Sequence, residues 1–166
     1  GAALEIHRGE TPKLDHIAFE VAADREEEVL HHISSQGVAV ESKRDAEPGF
    51  STVHDLRDAE GNLIQLGVID QTRSAAELSR TGIVPQKIGH VATRTSDAQA
   101  VTRFYLETLG FRWSDQMGDF FTFLRCNVDH HTVNFINASR PGDLHHLAFE
   151  LKDASEIIDA CDTLAN

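Results

Sequence analysis

The residues best equipped for chemistry are histidines that recur in one setting. KLDHIAFEV (13–21), KIGHVATRT (87–95) and DLHHLAFEL (143–151) each put a histidine just ahead of a short apolar run. Along an extended strand alternate side chains share a face. His146, Ala148 and Glu150 therefore fall on one face, and Leu147, Phe149 and Leu151 on the other, where a helix can cover them. His90 and Ala92 are set apart from Gly89, Val91 and Thr93 in the same way. The small alanine leaves room beside each imidazole. Two such units related by a pseudo-twofold bring His90 and His146 to face each other across one cavity. Two facing imidazoles and a carboxylate make an open iron(II) site, with positions left for substrate and oxygen. A lone histidine at a strand start is more often an edge or turn residue; the repetition is what argues for His90 and His146 as ligands. His16 has the same local pattern without a partner unit and reads as a relic of the symmetry.

The elements that position these histidines repeat with them. After the strand at 13–21, ADREEEVLHHISSQG (23–37) reads as an amphipathic helix, acidic in its first turn, with Val29, Leu30 and Ile33 on one side and Gly37 as its stop. VAVES (38–42), FSTVHDL (50–56) and NLIQLGVI (62–69) read as strands, the last two joined by a turn at DAEG (58–61). Residues 70–86 are polar, contain a proline and read as a linker. A strand at 87–95 then leads into a second helix at 96–110. Ser96 or Asp97 caps it, Val101, Phe104, Tyr105, Thr108 and Leu109 form its inner stripe, and Gly110 ends it. Strands are expected at 111–117, 120–128 and 130–137. A third unit opens with DLHHLAFEL and a helix at 154–165. The fold class is α+β: tandem βαβββ modules paired into half-open barrels. The expected division is 1–70 as one module, 71–86 as a linker, and 87–166 as a metal-binding domain of one full module and the first βα of the next.

Composition narrows the partners. The chain has 166 residues and a net charge of −12, with 40% hydrophobic and 25% charged residues. That charge argues against nucleic acid and against an anionic membrane surface. No apolar run approaches the ~20 residues of a spanning helix. The N-terminus, GAALEIHRGE, lacks the basic-then-apolar layout of a secretory signal. Cys126 and Cys161 share no metal-type spacing, read as small buried hydrophobes, and suit a reduced cytoplasmic setting. His31 and His32 sit on the first helix and require no function, and His54 lies in a strand without an evident role. Phe121 and Phe123 are expected in the core rather than in a pocket.

Paired βαβββ modules, the helix text FYLETLGF (104–111) and the turn DAEGNLIQL (58–66) resemble the vicinal oxygen chelate superfamily. FLRCNVDHHTVNFI (123–136) followed by LHHLAFEL (144–151) is similar, more narrowly, to the type I extradiol catechol dioxygenases. The resemblance runs over nearly the whole chain. It implies Fe(II), with Mn(II) as the other candidate, held by His90 and His146. It implies His131 as the acid–base histidine beside the metal. Asn127 and Asp129 stand where they could orient that ring, while His130 and His145 are expected to point away. Family members take a third ligand, a glutamate, from the last strand of the module that LHHLAFE opens. From His16 to Gln65 is 49 residues, and the same offset from His146 falls near position 195, past Asn166. The chain thus reads as truncated, without that ligand, and Gln65 marks a first module that binds no metal.

The implied activity is ring opening of a catechol-type aromatic diol by O2, next to rather than between the two hydroxyls. A non-catalytic, bleomycin-resistance-like binding module of the same fold is the alternative. A glyoxalase-type isomerase would want acidic residues where the last strands of the two units carry Gln65 and Asn134. Open sheet edges favour a homo-oligomer.

Overall fold

The computed structural model describes residues 4, 6–10, 13–45, 49–70, 82–139 and 143–165. The first unit consists of β1 (His16–Glu20), a 3-10 turn (Ala23–Arg25), α1 (Glu26–Ser35), β2 (Glu41–Arg44), β3 (Phe50–Arg57) and β4 (Leu63–Ile69). The second consists of β5 (Lys87–Thr95), α2 (Ala98–Glu107), β6 (Arg112–Met117), β7 (Phe121–Arg125) and β8 (Val133–Asn137). β9 (Leu144–Glu150) and α3 (Ala154–Ala165) open the third. Residues 71–81 of the expected linker lie outside the described residues.

Local chemistry accounts for the boundaries. Glu26, Glu27 and Glu28 place negative charge in the first turn of α1, where the helix dipole favours it. The Asp97 carboxylate accepts from the Ala100 N–H at 2.9 Å and starts α2. Gly110 follows α2 at φ 71, a left-handed conformation that favours glycine. In the 58–61 turn, Asp58 accepts from the amides of Glu60 and Asn62 and from the Asn62 side chain, all at 2.9 Å. Two expected strands move. The 38–42 strand forms at Glu41–Arg44, in register with β3. The 130–137 strand forms only from Val133, because the segment before it is a turn in which Cys126 N donates to Thr132 Oγ1 at 3.2 Å.

Two sheets result. The first has the order β1-β4-β3-β2 and the second β6-β7-β8-β5-β9, and among the described residues neither closes into a barrel. β1 runs parallel to β4, and β5 runs parallel to β8 in the same topological place. β9 adds antiparallel to β5, so the opening strands of units two and three lie side by side. This is the α+β architecture of tandem βαβββ modules.

One core spans both sheets. Ile33, Leu56, Ile64 and Leu66 from the first unit cluster with Val101, Tyr105, Phe111, Leu124, Val133 and Phe135 from the second. Phe19 meets Phe111 edge-on at 5.1 Å and Tyr105 at 6.3 Å. Polar ties cross as well. His32 Nε2 contacts the Glu107 carbonyl at 2.8 Å, so this histidine does have a structural task. Glu60 Oε1 accepts from Ser96 N and Ser96 Oγ at 2.5 Å and from Asp97 N at 3.0 Å, and so caps α2 from the neighbouring unit. His54 is also tied down: it is buried, with Ser42 Oγ at 2.8 Å and Glu26 Oε1 at 2.7 Å.

The third unit is less covered than expected. α3 buries no residue, Ile158 is 63% exposed, and Phe149 on β9 is 45% exposed rather than packed under a helix. Cys126 and Cys161 are both exposed, not buried, because one lies in the turn before β8 and the other on α3. Among the described residues no helix is long and apolar enough to cross a membrane.

Candidate metal centre

β5 and β9 bring His90 and His146 together, and each histidine follows a break in the ladder. Ile88 pairs with Phe149 and His90 with Ala148, which leaves Gly89 as an extra residue. Thr93 pairs with Leu144 and Ala92 with His146, which leaves His145 as another. Such bulges re-aim the side chain beside them and are common next to reactive sites. The two Nε2 atoms meet at 2.8 Å, with the rings at 83°. Lone pairs that close repel, so a proton or a cation belongs between them.

His131 joins the pair from the turn before β8, not from a strand. Its ring centroid is 4.2 Å from that of His90 and 5.2 Å from that of Phe123. Phe121 lies 4.3 Å from Phe123, and both are half-buried. Phe123 pairs with Asn134, which pairs with Ala92, and Ala92 pairs with His146. Laterally paired residues share a face, so Phe123 lies on the histidine face and not in the core.

The cluster stays uncharged near neutral pH. Burial, then His131 and His146, lower the His90 pKa to about 4 from the ordinary 6.5. The His131 pKa is lowered by burial, then by His130 and His146, against a smaller upward pull from Asp129. That of His146 is lowered by burial and then by His145. Neutral imidazoles with converging lone pairs are the donor chemistry of a divalent metal, and His90 and His146 fit that role. Among the described residues no group of three His, Cys, Asp or Glu side chains is placed to hold an ion.

The neighbours differ from expectation. Asp129 Oδ2 accepts from Lys87 Nζ at 2.7 Å and from Asn127 Nδ2 at 3.0 Å, so Asn127 and Asp129 brace one another and β5. The groups that touch the key rings are the doublet partners. His130 and His131 meet Nδ1 to Nδ1 at 2.9 Å, and His145 and His146 do so at 2.6 Å. Strand alternation sends neighbours to opposite faces, but a turn at His130 and a bulge at His145 cancel that rule. The doubled HH text was the available signal. With Nδ1 so engaged, His146 turns its Nε2 to His90. His16 stands apart in the first sheet, with Nδ1 3.1 Å from Asp15 Oδ2.

A family model described as the Glyoxalase/Bleomycin resistance protein/Dioxygenase superfamily matches residues 87–166. The match takes in the second unit and the opening of the third, just under half of the chain. The vicinal oxygen chelate fold extends across the remainder. An iron-dependent extradiol dioxygenase of Rhodococcus jostii is 26% identical over 94% of this chain and 59% of its own length. The 2,3-dioxygenase LapB from Pseudomonas sp. KL28 superposes with a TM-score of 0.79 at 19% identity, over 95% of this chain and 61% of that one. A Mn(II)-bound glyoxalase from Novosphingobium aromaticivorans superposes at 0.77 with 26% identity, over 95% and 53%. The chain thus spans about 60% of the first relative and the first structure.

Proposed function

We propose that the chain carries the histidine side of an extradiol ring-cleaving dioxygenase site, which opens a catechol-type diol with O2 through Fe(II), or Mn(II) in its place. The observation that carries this reading is the 2.8 Å approach of His90 and His146 Nε2 with the His131 ring beside it. The relatives named above favour the reaction class. A divalent ion held there supplies a Lewis-acidic centre at which a catechol and O2 can meet. The chain's own residues do the rest. His90 and His146 offer neutral nitrogens. His131, neutral near pH 7 and with Nδ1 turned to His130, takes a hydroxyl proton at Nε2 and later returns it. Phe123 and Phe121 form an aromatic wall for the substrate ring. Asn127 and Asp129 hold the turn that carries His131.

A second reading is a non-catalytic binding module of the same fold, in keeping with the bleomycin resistance proteins that the matching family model takes in. Self-association in the cytoplasm, through open sheet edges, goes with either. The test is iron content after anaerobic Fe(II) loading and desalting, with His146→Ala in parallel, followed by a catechol and O2. The dioxygenase reading expects near one iron per chain, lost in the variant, and a coloured ring-opened product. Iron retained without product favours the binding module, and iron at background in both proteins removes the metal site. Sedimentation of the loaded sample as a clean monomer at micromolar concentration counts against self-association.

A further inference from the structure

Asn134 is an unexplained residue on the histidine face. It lies in the middle of β8, is 1% exposed, and its Oδ1 has no hydrogen-bond partner. A buried acceptor left without a partner keeps the full penalty of its lost hydration. Such an atom commonly marks a group that meets something from outside the chain.

The register shows what surrounds it. Ala92 on β5 pairs laterally with Asn134 of β8 on one side and with His146 of β9 on the other. His90 is two residues along β5 on the same face. Three longer side chains therefore stand around one alanine, which is fully buried beneath them at 0% exposure. Two of the three end in the Nε2 atoms that meet at 2.8 Å.

The first unit provides a comparison inside the same molecule. Gln65 pairs with Ala18 as Asn134 pairs with Ala92, and its Oε1 is also buried and unpartnered. Yet Ala18 is exposed, because among the described residues no strand stands beside β1 as β9 stands beside β5. His16 and Gln65 thus share a face with no second histidine, whereas Asn134 shares one with a converged pair.

We propose that the Asn134 carboxamide oxygen is a protein donor, alongside His90 and His146, to a divalent cation on this face. The inference rests on the metal reading above and adds an oxygen donor from the middle of β8. Two imidazoles and one carbonyl oxygen make a neutral N2O set, suited to an ion of the Mn(II) type that accepts nitrogen and carbonyl ligands together.

The test is Mn(II) binding to the whole chain, read by the loss of the free-ion EPR signal. Wild type is compared with Asn134→Asp, Asn134→Ala and His146→Ala, each checked for folding by circular dichroism. Asn134→Asp adds a negative ligand and is expected to tighten binding about tenfold or more. Asn134→Ala is expected to weaken it by a similar factor, and His146→Ala to abolish it. Affinities within twofold of wild type in both Asn134 variants, with binding still lost in His146→Ala, overturn this inference and leave the metal reading intact. No binding in the wild type overturns both. If Asn134→Asp fails to fold, the alanine variant alone decides.

Discussion

The three site histidines have ordinary side chains made unusual by their surroundings. His90 titrates near 4 because its charged form would be buried beside two other imidazoles. The unfolded chain takes up this proton near the ordinary 6.5, and the folded chain only near 4. Between those values the unfolded state binds more protons, so stability is lost as pH falls from about 6.5 to about 4. Thermal melts of the metal-free chain should fall through that window, and fall less steeply for His90→Gln. Equal slopes for the two proteins would show that His90 is not the group responsible. His145 belongs at this scale too. Adjacent strand residues are expected to diverge, but the bulge puts its ring against His146, where it can fix the tautomer and direction of that ring.

The elements hold these residues through contacts made between units. α2 begins where Glu60, from the turn of the preceding unit, caps Ser96 and Asp97. Asn137 Oδ1 accepts from Ala98 N at 2.6 Å and completes the cap from β8. Glu60→Ala removes one of these anchors and is expected to cost about 1–2 kcal/mol. Urea denaturation followed by circular dichroism measures it, and a midpoint equal to that of the wild type would mean the cap contributes nothing. Asp97 as a helix cap was legible in the text, since a short acceptor before an apolar stripe is a local signal. Glu60 was not: the residue it serves lies 36 positions away.

At the scale of the molecule, two sheets share one core, with Tyr105 at its centre. It touches Phe19 of the first unit and Phe104, Phe111 and Phe135 of the second. Two structural units with one apolar cluster are expected to unfold together. Tyr105→Ala should cost about 3–5 kcal/mol, and calorimetry should record one transition in wild type and variant alike. Two resolved transitions would mean that the units fold independently and that the shared cluster is not what couples them.

The sequence by itself determined the repeat, the order of strands and helices in each unit, and the pairing of His90 with His146. All three follow from short-range patterns: alternation, helical stripes, caps and a recurring HxAxE or HxA text. The resemblance of 123–151 to a metal-dependent family added His131. What only the tertiary structure decided depends on neighbours distant in sequence. The turn before β8 carries His131 instead of a strand. Two bulges set the aim of the His90 and His146 rings, and the HH doublets meet through Nδ1. Asp129 is claimed by Lys87, Phe123 faces the site, and α3 leaves its apolar residues exposed. Asn134 shows the division most clearly. Its strand was expected from alternation, but its buried, unpartnered oxygen beside Ala92 exists only because β5, β8 and β9 lie in register, and register is set by pairing between segments rather than within any one of them.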